Sequence, residues 1–80
     1  MKVNAMNHNQ YIIETDTGEY FQSYNTTIAY RPIVGKVQLN RQAWNITRTT
    51  AKYRNQFLGE NKAITEKKIK SGEYILVDKF

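Results

Sequence analysis

The sequence predicts an α+β domain: an antiparallel sheet of about four to five strands in the order β-β-β-β-α-α-β. One main helix and one short helix pack on a single face of it. Three observations predict this. Short β-rich runs separated by turn residues fill the first half of the chain. Helical periodicity bounded by cap residues appears only after Trp44. Finally, Tyr74-Ile-Leu-Val-Asp78 returns the chain to an extended, apolar pattern. Strands first, helices later and one strand at the end is a layered α+β arrangement.

Taken in order, residues 1–10 are polar and rich in asparagine. They offer little to bury, so they are expected to be a disordered N-terminus, with residues 11–80 forming one domain. Tyr11-Ile-Ile-Glu14 and Glu19-Tyr-Phe-Gln22 flank Thr15-Asp-Thr-Gly18. That pattern predicts a β-hairpin in which Gly18 supplies a positive φ. Ser23-Tyr-Asn25 reads as a second turn leading into Thr26-Thr-Ile-Ala-Tyr30, which Arg31-Pro32 ends because proline has no ladder donor. In Gly35-Lys-Val-Gln-Leu39, alternation puts Val37 and Leu39 on one buried side.

The main helix is expected over Arg48 to Leu58. Thr47 is the N-cap, Ile46 and Ala51 occupy the staple positions, and Gly59 closes the helix in the left-handed conformation. At about 100° per residue, Thr50, Ala51, Tyr53, Phe57 and Leu58 share a buried face, and Arg48, Thr49, Lys52, Asn55 and Gln56 share the other. Arg54 projects from the middle of the apolar stripe, so its guanidinium must snorkel, pair with a carboxylate or reach a partner. A shorter helix, Glu66 to Ser71, is expected to start at Thr65 and stop at Gly72. Tyr74–Asp78 is apolar enough to predict a strand inside the sheet.

Eighty residues, 40% hydrophobic and 24% charged, make one globular domain near the lower size limit for unaided folding. With no cysteine, disulfides and thiolate metal sites are excluded. No apolar run approaches membrane-spanning length, and the N-terminus lacks the apolar stretch of a signal peptide. A cytoplasmic protein that does not engage a membrane is therefore expected. Asn25-Thr-Thr27 and Asn45-Ile-Thr47 match the glycosylation sequon and are read as turn and cap chemistry. The net charge of +5 is unevenly spread: residues 41–70 hold eight basic side chains against two acidic ones, the remainder four against five.

Several spaced blocks resemble a family of small, largely uncharacterised proteins common in tailed bacteriophages and prophages. They are Phe21-Gln-Ser-Tyr24, Leu39, Trp44, Thr47, Thr49-Thr50, Lys52-Tyr53, Phe57-Leu-Gly59 and Ile69-Lys-Ser-Gly-Glu-Tyr74. The resemblance covers most of residues 11–80 and implies a phage-encoded accessory protein. It brings no catalytic residues. Thr47 stands where serine is more common in that family, which preserves the cap.

Catalysis has no scaffold in this sequence, and no cofactor or metal is expected. His8 lies in the expected disordered segment. Asp16-Thr17-Gly18 spells an aspartic-protease triplet, but it occurs once and its flanks are polar, so it reads as turn punctuation. Glu14, Asp16 and Glu19 gather near the hairpin tip without calcium-loop spacing.

What remains is binding. Arg41, Arg48, Lys52, Arg54, Asn55, Gln56, Lys67, Lys68 and Lys70 are the candidate partner-binding residues. Tyr20, Tyr24 and Tyr30, with Arg41 and Arg54, are possible anchors for a protein partner. The leading expectation is a monomer or small homo-oligomer that binds a host protein or nucleoprotein complex and modulates it. The alternative is a sequence-tolerant DNA- or RNA-binding protein using the basic face of 48–58 and the lysines of 67–70.

Overall fold

The computed structural model describes residues 1–80. Six strands and two helices follow one another as β1 (Lys2–Asn7), β2 (Gln10–Glu14), β3 (Gly18–Ser23), β4 (Thr26–Pro32), β5 (Gln38–Asn40), α1 (Arg48–Leu58), α2 (Lys62–Ser71) and β6 (Ile75–Val77). All six strands form one sheet whose spatial order is the sequence order. Neighbours pair antiparallel up to β5, and β6 pairs parallel to β5. A parallel neighbour requires a crossover, which α1 and α2 supply, so both helices lie over one face of the sheet. The expected α+β class is the one found, with one strand more than expected.

The additional strand is β1. Residues expected to fray are instead held by a ladder in which Val3 faces Ile13 and Ala5 faces Tyr11. Met6 packs against the core, the Asn7 amide donates to the Tyr53 hydroxyl, and Gln10 is buried at the start of β2. The asparagine that made this stretch look unstructured builds its turn: Asn9 sits at φ 59°, a conformation asparagine tolerates better than most residues.

Three other expectations shift. Gly18 does not take a positive φ. Its lack of a side chain is needed for another reason, because a Cβ there would lie 2.4 Å from the Arg31 carbonyl oxygen and 2.7 Å from the Pro32 Cα. Helix α2 begins a turn earlier than expected. Asn61, at φ −97°, is its cap and accepts from the Ile64 N–H at 2.9 Å, while Thr65 is buried within the helix. Strand β6 forms an edge of the sheet, only three residues long. Its apolar character arises because Leu76 packs toward the core while Ile75 and Val77 occupy the opposite face.

Helix α1 has the expected bounds. Thr47, at φ −139°, accepts from the Thr50 N–H at 3.0 Å, and Gly59, at φ 70°, returns its N–H to the Asn55 carbonyl at 2.8 Å. The staple does not contribute, since Ile46 is exposed. Phe57 stacks on Phe21 with ring centroids 5.8 Å apart, and Tyr53, Phe57, Ile28, Ala29, Leu39 and Tyr74 complete the core between helices and sheet.

The sheet has two unlike faces. On the helix side, the paired positions Lys2, Glu14, Glu19 and Arg31 form one row across β1 to β4. Arg31 bonds the Phe57 carbonyl and Glu19 within that row. The other side carries Tyr11, Ile13, Tyr20, Tyr30, Ile75 and Val77, none of which belongs to the core. No helix of the chain is long and apolar enough to cross a membrane.

Candidate binding surface

Helix α1 places its polar residues by simple periodicity. Arg48, Lys52 and Gln56 recur every four residues, so they stack along one side of a helix fixed at both ends by caps. All three are exposed, and neither Arg48 nor Lys52 meets a carboxylate. Lys67 is likewise exposed on α2. Lys62, not among the sequence candidates, joins it in the first turn of α2. It was missed because the helix was expected to start four residues later, and the signal that could have found it was Asn61 as the cap.

The other candidates are engaged within the fold. Arg54 is fully buried and so cannot be a partner contact or anchor. Its guanidinium donates to the Trp44 carbonyl at 2.6 Å, to Asn45 Oδ1 at 3.2 Å and to Asn55 Oδ1 at 2.8 Å, and lies 5.1 Å from the Trp44 ring centroid. These are neutral acceptors rather than a paired carboxylate. Burial lowers the Arg54 pKa, and the negative charge of Glu60 opposes that fall. The group therefore acts as a clamp that fastens the segment before α1 to the helix. Asn55, half-buried, is occupied by the same clamp. Arg41 bonds Asp78 at 2.9 Å and the Leu76 carbonyl at 3.3 Å, tying the loop after β5 to the edge strand. Lys70 stays largely exposed, with only a loose 3.7 Å pair to Glu66, which is weak at such exposure.

Lys68 belongs to a polar cluster under α2. Glu60, whose side chain is 5% exposed, accepts from Lys68 Nζ at 2.9 Å, Tyr74 Oη at 2.8 Å and Thr65 Oγ1 at 2.6 Å. Burial opposes ionisation of Glu60, yet these donors outweigh it and hold its carboxyl below the usual range. The hydrogen bond to Glu60 raises the Lys68 pKa, and burial, followed by the hydrogen bond to Glu60 and its charge, raises that of Tyr74. A depressed carboxylate pKa means that the folded state binds fewer protons than the unfolded chain. The stabilisation is therefore present above the unfolded glutamate pKa of about 4.3 and is lost as pH falls through the folded value. Thermal melts of the wild type are expected to drop on acidification below about pH 4.3, and those of Glu60→Gln to drop less steeply. Equal acid limbs would show that the cluster does not carry this dependence.

The tyrosines divide between the faces in a way the sequence did not reveal. Tyr53 and Tyr74 are core residues, whereas Tyr20 and Tyr30 stack on each other at 4.4 Å on the uncovered side. Tyr24 stands exposed in the β3–β4 turn at φ 55°, a conformation uncommon for a bulky residue. A cleft of about 370 Å³ at one end of the sheet is lined by Asp16, Thr17, Tyr30, Pro32, Ile33 and Val34, with Asp16 its single carboxylate. Glu14 and Glu19 are turned to other work: Glu14 accepts from Asn4 at 2.8 Å and Glu19 from Arg31 at 2.9 Å. His8 lies exposed beside Asn9 in the β1–β2 turn.

A family profile described as a family of unknown function (DUF8033) matches residues 1–73. The chain belongs to that family. The matched segment includes β1, both helices and every helical candidate described above. Neither the curated proteins nor the solved structures contain a match to this chain.

Proposed function

We propose that this member of the DUF8033 family is a non-catalytic binding protein. It docks the exposed side of its helical layer onto an acidic protein surface and modulates that partner stoichiometrically. The observation that carries this reading is the row Arg48, Lys52 and Gln56 on a doubly capped helix, with no carboxylate spent on either cation. Rigid support matters because side chains held in place lose less entropy on binding. Lys62 and Lys67 extend the same sign of charge onto α2 and favour encounter with an acidic surface. The resemblance of the Trp44 to Gly59 block to phage and prophage proteins supplies a setting. There, the protein is a phage accessory factor for host takeover or counter-defence of the anti-CRISPR kind, acting on a host protein or nucleoprotein complex.

A second reading, sequence-tolerant binding of DNA or RNA, draws on the same cations, because phosphates are neutralised by lysine and arginine without regard to sequence. It is the weaker reading because two groups able to read base edges, Arg54 and Asn55, are bonded to one another. Capture from nuclease-treated bacterial lysate separates the two. The wild type is expected to retain a protein partner, and Arg48→Glu/Lys52→Glu to lose it with an unchanged thermal melt. A partner retained equally by the double variant would refute the proposed face. Capture that disappears on nuclease treatment would favour the nucleic-acid reading.

A further inference from the structure

We propose that the uncovered face of the sheet packs against the same face of a second copy of this chain, forming a two-fold symmetric sandwich. The interface lies on the opposite layer from the helical side that takes the partner, so it stands independently of the proposed function.

The polarity of the sheet carries the inference. An antiparallel sheet with one face in water ordinarily turns its polar residues outward and its apolar residues toward the core. Here every charged residue of the strands, Lys2, Glu14, Glu19 and Arg31, lies in the row on the helix side. The side without helices carries no charge on its strands: it presents Tyr11, Ile13, Tyr20, Tyr30 and Val77 beside the neutral amides of Gln22, Gln38 and Asn40, and Ile75 and Val3 remain exposed on it. Phe80 folds back to meet Tyr20 edge-on, with centroids 6.3 Å apart, yet remains exposed itself.

Charge identifies the occupant. The protein carries a net charge of +5, and like-charged copies repel. Pairing through the sheet brings together the one face whose strands carry no charge and sends both helical layers, with Arg48, Lys52, Lys62 and Lys67, to the outside of the dimer. An acidic partner, by contrast, finds no cation within the strands on this side to recognise. Size agrees: a whole face of a molecule 31 × 28 × 22 Å across is of the order of the ~800 Å² per partner that a stable interface buries.

The aromatic pair is placed where an interface concentrates its energy. Tyr20 and Tyr30 stand on β3 and β4, the two middle strands of the six. Their 4.4 Å stack and the hydrogen bonds from Tyr30 Oη to Thr17 fix them before association. Central, preorganised tyrosines surrounded by less critical contacts are the usual anatomy of a binding hot spot. A two-fold axis near them sets each pair against its counterpart, as aligned sheet packing does at a spacing of about 10 Å. The arrangement also gives this small domain a second core, which its eight buried hydrophobic residues make useful.

Sedimentation equilibrium from micromolar to millimolar protein tests the proposal. It is joined by isotope-filtered NOE spectra of a mixture of labelled and unlabelled wild type. The expected result is a monomer–dimer equilibrium with cross-copy NOEs among Tyr11, Tyr20, Tyr30 and Ile75. Tyr20→Asp is expected to raise the dissociation constant by roughly thirtyfold or more, the scale of a lost hot-spot contact, while Lys52→Glu keeps the dimer. A wild type that stays monomeric to millimolar concentration overturns the proposal, as does a dimer whose cross-copy NOEs come from the helices. Should Tyr20→Asp fail to fold, the wild-type NOE pattern decides alone.

Discussion

Arg54→Ala is expected to cost about 3–5 kcal/mol, the largest loss from any single charged residue, and to leave much of the protein unfolded at room temperature. Arg54 is the largest fully buried side chain in the fold. Removing it opens a cavity, takes the donor from the Trp44 carbonyl, and leaves the Asn45 and Asn55 side-chain oxygens without the partner that orders them. A buried acceptor without a donor costs roughly 1–3 kcal/mol by itself, and the missing volume adds to that. Arg54→Lys is expected to rescue only part of the loss, since one ammonium cannot reach three acceptors lying on two sides of a planar fork. Urea melts of the three proteins check this. An alanine variant as stable as the wild type would mean that Arg54 is dispensable to the fold and available for another role.

Phe57→Ala is expected to be nearly as damaging, again about 3–5 kcal/mol, the range for a buried aromatic residue. Phe57 is 3% exposed and joins three parts of the structure: its ring stacks on Phe21, and the Arg31 guanidinium lies 4.5 Å from its centroid. Its carbonyl accepts from Arg31 as well, so the loss of the ring loosens the seam between α1 and β4. Trp44, although larger, is half-buried and reached mainly through Arg54, and Trp44→Ala is expected to cost less, about 2 kcal/mol. The order Phe57 before Trp44 in denaturant midpoints is the result to look for. The reverse order would place the indole, rather than the phenyl ring, at the centre of the core.

The parts of this fold that were legible in the sequence are those written in local chemistry. Thr47 and Gly59 marked both ends of α1 because caps are decided by a few neighbouring backbone groups. The buried stripe through Tyr53 and Phe57 followed from helical period alone. What escaped was decided by distant partners. Nothing in Lys2 to Asn7 signals a strand until β2 is beside it, and edge strands draw much of their stability from a neighbour's ladder. Asn61 and Thr65 are both competent caps, and the choice between them was made by Glu60 and Tyr74, which take the Thr65 hydroxyl and its surroundings for the polar cluster.

The candidate site shows the same division. That Arg48, Lys52 and Gln56 share an outer side was readable from spacing. That Arg54, Asn55, Arg41 and Lys68 are spoken for was not, because their partners at Trp44, Asp78 and Glu60 are set by tertiary packing. Alternation told that Tyr20 and Phe21 point opposite ways, but not which way the helices would lie. Alternation therefore left open that Tyr20 and Tyr30, named as anchors for a partner, stack on each other on the side away from the helices.

The central claim is that Arg48, Lys52, Lys62 and Lys67, none of which meets a carboxylate, form on the helical layer the face that meets an acidic partner. Amide chemical-shift mapping during titration with poly-glutamate tests it most directly. The account predicts shifts centred on Arg48, Lys52, Gln56, Lys62 and Lys67, weakening as salt is added, with Tyr11, Tyr20 and Tyr30 unmoved. Shifts centred on the sheet, or none along α1, would contradict it.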